Sequence, residues 1–374
     1  VLAYLQGKNT DMAMEIANQM LAESPDNPDV LSLMAKIQLV DRNMVAARQY
    51  FEQALTIDSD HIDSQLNLAR LDEQEGDLES AEKHYLSILD KQAGSTSVMN
   101  SLARLAALKG DTAGQIKWLE AARKADDKEL AARLALVDIY LKQENIAETE
   151  KLISELEKEH EENPAVLGAR GKLLMVQKRF TQAESVFSEL TRVSPEQHTG
   201  YYLLARSQLA LGDNEAALNN LRKANSLKPG ELRNIFLLAT LEHSAGNHKR
   251  AIELAEHIIG IAPDSATGYV VKGNALYALQ QYKPAMENFD KVWTISKTRE
   301  IAVARFKVSS KLNSVREAIP ILSDWLKDHT DDEGILLELG VAYLTDKHYE
   351  NATTTFERIL SLQPDYNMAL NNLA

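Results

Sequence analysis

Between Leu203 and Pro229 the apolar positions form two short helical faces separated by a polar turn. Leu204 and Ala205 share one face, with Tyr201 a turn earlier. Gly212-Asp213 then supplies a residue that tolerates the left-handed conformation of a helix stop, followed by one whose carboxylate can cap the next helix. Ala217, Leu221 and Ala224 recur at i, i+4 and i+7, the spacing of one face of a second helix, and Pro229 stops it. Neither helix can bury its apolar face alone, so the pair has to stack on copies of itself.

The copies are present. Stepping from Ala217 by 34 residues in both directions gives Ala13, Ala47, Ala81, Gln115, Thr149, Ala183, Ala251 and Ala285; a step of 33 and another of 34 give Ala318 and Ala352. Twelve residues before the marker lies a second small position: Ala35, Ala69, Ala103, Val137, Gly171, Ala205, Ala239, Gly273 and Gly340. In the tenth repeat Phe306 or Lys307 falls there, depending on where the missing residue lies. Four residues after the marker come larger apolar groups, among them Phe51, Tyr85, Phe187, Phe289 and Phe356. Twelve after it come Pro25, Pro195, Pro229, Pro263 and Pro364. The departures predict local irregularity. Gln115 and Thr149 replace the marker Ala, and Glu144-Asn145 replaces Gly-Asp. The tenth repeat predicts looser packing near 300–330, and Pro284 and Pro320 are expected in the first turns of their helices, where a missing N–H costs little.

This period and pattern resemble the tetratricopeptide repeat (TPR), over the whole chain. The family pattern has small residues at its eighth and twentieth positions, a large apolar residue at the twenty-fourth and Pro at the thirty-second. The resemblance implies an all-α fold, a right-handed α-solenoid (superhelix) of about eleven 34-residue helix-turn-helix repeats, forming a single continuous array over 1–374. Val1 and Ala374 both fall on the eighth position, so the chain reads as a series cut at one phase, part of a longer repeat protein.

Composition narrows the chemistry. A net charge of −14 argues against binding bulk duplex nucleic acid. The absence of cysteine removes disulfides, thiol catalysis and thiolate metal sites. No apolar run reaches the ~18 residues of a membrane span. No phosphate-binding loop, nucleophile elbow or zinc-protease motif is found. The histidines are scattered; His243 and His248, the nearest pair, flank an interhelix turn and read as surface or groove residues. Glu155 to Glu162 reads as a solvated outer face, Trp118, Trp293 and Trp325 as core, and Asn351-Ala-Thr353 as a chance sequon. No enzyme activity, cofactor or metal is expected. A stacked solenoid offers a long groove, which favours binding.

In the TPR family, positions two, five, nine and twelve of the first helix line the concave wall. Position nine here reads Lys36, Arg70, Arg104, Asp138, Lys172, Arg206, Thr240, Asn274, Lys307 and Val341, with Lys307 counted only if the missing residue precedes its helix. This basic ladder would hold an extended anion, such as an acidic peptide segment or an acidic polysaccharide. Alternatively each base pairs with a nearby carboxylate, for instance Arg70 with Glu73. Tyr202, Phe236 and Val270 at position five, with Tyr277 at position twelve, would form an aromatic patch suited to peptides or sugar rings. The carboxylate clamp of chaperone-binding TPR proteins is absent, since no position five is Lys. So is the asparagine ladder of sugar-transferring TPR enzymes: only Asn67 and Asn372 stand at position six.

In texture the chain is similar to bacterial TPR lipoproteins associated with PEP-CTERM/exosortase sorting and exopolysaccharide production. That resemblance implies a periplasmic or outer-membrane-anchored scaffold. Three functions stay open: a scaffold for a protein segment, a carbohydrate-binding wall of an export system, or the recruiting part of an enzyme. Hydrogen exchange is expected to be fastest in 300–330 and in the terminal helices, and uniform protection along the chain would contradict this.

Overall fold

A computed structural model of the chain describes residue 1 and residues 10–373. The described residues form twenty-two helices and no strand. They divide into two compact bodies, Val1–Gln177 and Lys178–Ala374. Residues 2–9 and Ala374 lie outside the described residues, and with Ala374 the C-terminal end of the repeat register.

In the first body Thr10–Glu23 is followed by helix pairs Pro28–Val40 with Met44–Ile57, Ile62–Glu75 with Leu78–Lys91, Thr96–Leu108 with Thr112–Ala125, and Leu130–Lys142 with Ile146–Glu159, and then by Pro164–Val176. The second body starts with Phe180–Val193. Its pairs are His198–Leu211 with Asn214–Leu227, Leu232–Ser244 with His248–Ile261, Ala266–Ala278 with Tyr282–Ile295, Arg299–Leu312 with Val315–Asp328, and Glu333–Thr345 with Tyr349–Leu362; Asn367–Leu373 ends it. Within each body every helix packs on the next, as in an α-solenoid.

Each pair is closed by one economical turn. At Gly212, φ is +83°, and the Asp213 N–H returns to the Gln208 carbonyl at 2.9 Å. Asp213 then accepts the Ala216 N–H at 3.0 Å, so one residue ends a helix and starts the next. Gly76, Gly110 and Gly246 take the same left-handed place, but so do Arg42, Glu144, Lys178, Gln280 and Lys347. Glu144-Asn145 is therefore a strained version of the common turn. The tenth repeat alone among these departs from it: its turn is Asn313-Ser314, with Asn313 at φ −119°.

The two small positions have a direct cause. A Cβ on Gly273 would lie 2.7 Å from the Phe289 ring, and one on Gly340 would lie 2.5 Å from the Phe356 ring. The large residue of the second helix thus rests on the bare backbone of the first. Ala35, Ala69 and Ala205 are fully buried at the same position, as are the markers Ala47, Ala81 and Ala217. First helices begin at Ala266 and then Arg299, with three residues, 296–298, before the latter where other repeats have four. The missing residue therefore precedes the tenth first helix. Phe306 occupies the small position there and is buried, and Lys307 is at position nine. Pro284 is in the first turn, as expected, but Pro320 is not: it is the sixth residue of Val315–Asp328 and removes the bond to the Arg316 carbonyl. Trp325 is buried, whereas Trp118 and Trp293 are half-buried and pack beside the core.

Two substitutions follow. Glu144→Gly is expected to raise the urea midpoint, with a net gain of a few tenths to about 1 kcal/mol from relieved left-handed strain. Gly340→Val is expected to lower it by about 1–3 kcal/mol through overpacking on Phe356.

Candidate functional site

Because position eight is buried against the second helix, position nine, 100° further round, faces outward. Arg70, Arg104, Asp138, Arg206, Thr240, Asn274, Lys307 and Val341 are exposed, and Lys36 and Lys172 half-exposed. The stripe is continuous within each body, but its cations are not equivalent. The Lys36 ammonium is 2.6 Å from Asp63 on the next first helix, and Asp63 also accepts the Ser32 hydroxyl. Arg104 forks onto Glu73 of the preceding repeat at 2.6 and 3.1 Å. Lys172 meets Asp138, its counterpart one repeat earlier, at 2.9 Å. Glu73 is thus taken by Arg104, and by the Tyr85 hydroxyl at 2.9 Å, so the Arg70–Glu73 pairing does not form. Among the described residues Arg70 and Lys307 have no carboxylate partner in an ion pair. Arg206 has none either, and its guanidinium stands 5.9 Å over the Tyr202 ring.

Aromatic residues at position five are only partly gathered. Phe236 is 42% exposed, whereas Tyr202 leans on the core of its own region and Val270 packs beside Phe289. Tyr277 pairs with Tyr282 across its turn at 5.6 Å, rather than with Phe236. His243 with His248, and Tyr343 with His348, make the same contact across equivalent turns. The histidine pair is therefore a turn brace, with the two Nδ1 atoms 3.1 Å apart. Asn274 and Tyr277 are brought together with Lys307 around a recess of about 220 Å³ between helices Ala266–Ala278 and Arg299–Leu312. Its wall is apolar, from Phe289, Val303, Ala304 and Val308.

The acidic run is not an idle face. Glu159 takes the buried Arg133 at 2.7 Å, Glu157 takes Arg170 at 2.7 Å, and Glu155 lies 3.6 Å from Arg123. Its last turn lies between two first helices, and their arginines reach it. Sequence reasoning also missed two ion pairs between successive repeats. Asp72, with a side chain 3% exposed, accepts Arg48 at 2.7 Å; Glu242, 1% exposed, accepts Arg222 at 2.9 Å. Both acids sit at position eleven, where no family signal marks them.

These contacts shift titrations. Burial works against the Asp63 carboxylate, but the hydrogen bonds from Lys36 and Ser32 win and hold its pKa below the ordinary value. Burial pushes the His84 imidazole down, against the opposing charge of Asp72. Among the described residues no group of three or more His, Asp or Glu could hold a metal ion, and no helix is long and apolar enough to cross a membrane.

Paired antiparallel helices with a period of 34, small residues at two fixed positions and an outward stripe define a helical-repeat scaffold. Models of the tetratricopeptide repeat match residues 39–105, 134–198, 202–266 and 334–366, and the chain belongs to the TPR family. A relative, superkiller complex protein 3 of Homo sapiens, is 22% identical over 266 residues, 69% of this chain and 17% of that protein. The chain thus spans less than a fifth of that relative. The C-terminal part of a TPR repeat-containing protein from Cytophaga hutchinsonii aligns at 16% identity and a TM-score of 0.53, over 64% of this chain and 99% of that one. The APC/C hetero-tetramer Cut9–Hcn1 aligns at 13% identity and a TM-score of 0.49, over 99% and 94%.

Arg48→Met is expected to destabilise the first body by about 2–3 kcal/mol, because Asp72 would stay buried and charged without its partner. A His pKa lowered by folding means that the unfolded chain binds more protons as pH falls below 6.5, so stability drops there. His84→Gln should shrink the fall in unfolding midpoint between pH 7 and 5; an unchanged fall would exclude His84 as its source.

Proposed function

We propose that the chain is a non-catalytic TPR scaffold that binds an extended protein segment along its first-helix wall. The observation that carries this reading is the outward stripe at position nine, where Arg70, Arg206 and Lys307 present charge that no carboxylate among the described residues pairs with. Lys36, Arg104 and Lys172 are engaged between repeats, and their share in binding would require those bonds to exchange. The segment would be acidic at a few points rather than throughout. Tyr202, Phe236, Asn274 and Tyr277 would add apolar and amide contacts on the same wall.

The proposal extends to an array running continuously through both bodies. The similarity to PEP-CTERM-associated TPR lipoproteins supports an envelope setting, where the segment would belong to a sorted surface protein. Exposed Phe236, and Tyr202 beneath Arg206, favour a carbohydrate wall as the second reading, because flat rings also stack on sugars.

A random dodecapeptide display library selected on the protein tests the first reading. Selected clones should lose about tenfold in binding when Arg70 and Arg206 are both changed to Ala, the worth of one charge-assisted hydrogen bond. They should also weaken with salt. No enriched peptide, with retention of exopolysaccharide in its place, would overturn it in favour of the sugar wall.

A further inference from the structure

Resting on the proposed protein-binding wall, we infer that the recess between Ala266–Ala278 and Arg299–Leu312 is a pocket for one apolar side chain of the bound segment, and that Lys307 receives an acidic residue beside it. The recess, at about 220 Å³, is smaller than the 300–1,000 Å³ typical of small-molecule sites and suits a single aliphatic side chain. Its wall offers Phe289, which is itself buried, with Val303, Ala304 and Val308. That surface gains from covering by apolar atoms and offers nothing to a charged or strongly hydrated group.

The polar rim fixes what flanks the side chain. Asn274 and Tyr277 border the recess on one helix, and among the described residues neither side chain has a hydrogen-bond partner; an amide and a phenol at this height can meet the main chain of an extended segment. Glu300 and Lys307 border it on the other helix, about 10 Å apart along the axis. The two charges differ in availability. Glu300 has Arg299 3.7 Å away, whereas Lys307 is exposed and forms no ion pair among the described residues. An acidic residue of the segment is therefore drawn to the Lys307 end, which orients the segment across the helices. A basic residue gains little at either end, since Glu300 already has a cation beside it.

The place of the recess follows from the irregular repeat. Phe289 must lie on Gly273, which keeps the ring low in the wall. The following first helix arrives after a loop one residue short and packs Ala304 against the cluster that holds that ring, with Val303 lining the recess beside it.

Sequencing of the peptides selected from the random dodecapeptide library tests the pocket, with the intact protein and two variants as baits. The parent pool should be enriched about tenfold in an aliphatic residue within two positions of Asp or Glu, the size of one charge-assisted contact. Lys307→Glu, a change at an exposed site, should reverse the acidic preference to Lys or Arg. Ala304→Leu, which fills the recess, should remove the aliphatic preference while leaving the helix content unchanged. Equal acid frequencies in the parent and Lys307→Glu pools would overturn the inference, even if Ala304→Leu failed to fold. Peptides that depend on Arg70 and Arg206 but not on these two residues would leave the wall reading standing and sink the pocket alone. A library that yields no binders would sink both.

Discussion

The structure depends on one steric constraint: a large side chain of each second helix has to lie on the backbone of the first helix of its own repeat. Gly273 under Phe289 and Gly340 under Phe356 are its tightest instances, with no room for a single added carbon. Elsewhere Ala serves, as at Ala35 beside the buried Phe51 and Ala69 beside the buried Tyr85. Close approach of the two helices rotates the first one to a fixed angle, and that rotation turns position nine outward in every repeat. The wall is thus a consequence of core packing. In the tenth repeat the ring has moved to the first helix as Phe306, opposite Leu322, and both are buried. Lys307 nevertheless keeps the outward place next to it.

A fixed wall leaves the charges to be decided by what adjacent first helices present to one another. In the first body carboxylates at positions two, nine and twelve fall within reach of the basic stripe, and three of its cations are tied between repeats. In the second body the equivalent places next to Arg206 and Lys307 hold Arg233 and Gly334 at position two, Asn274 at nine and Tyr277 at twelve, none of which can neutralise a cation; Glu300, at position two of the tenth repeat, forms its ion pair with Arg299. Arg206 and Lys307 therefore stay free, beside the more aromatic part of the stripe. One ladder in the sequence becomes two kinds of cation: Lys36, Arg104 and Lys172, bonded between repeats, and Arg70, Arg206 and Lys307, open to a partner.

The period, the small positions and the helix pairs were legible because the signal recurs through the chain, with Ala at nine of eleven marker positions, so single exceptions such as Gln115 do not mislead. Features that occur once were not. Pro320 reads as a first-turn proline until the helix start at Val315 is known. The left-handed turn is obvious at Gly212 but invisible at Glu144 or Lys178, where surrounding packing holds an unfavourable residue in place. The partners of Arg104, Arg133 and Arg48 lie 31, 26 and 24 residues away, on neighbouring helices. Sequence spacing favours the local Arg70–Glu73 choice, while the real geometry gives Glu73 to a cation in the next repeat.

The division of the basic stripe is tested most directly by urea unfolding of two triple variants, Lys36, Arg104 and Lys172 each changed to Met, and Arg70, Arg206 and Lys307 each changed to Met. The account predicts a lower midpoint for the first, by about 0.5–1 kcal/mol for each bond removed and more at Arg104, whose partner Glu73 is 6% exposed. It predicts a midpoint near the parent's for the second, because those side chains make no ion pair among the described residues and only Arg206 has a ring contact, with Tyr202. Equal losses in the two variants would mean that the free cations are structural as well, and that the wall has no charge to spare for a partner.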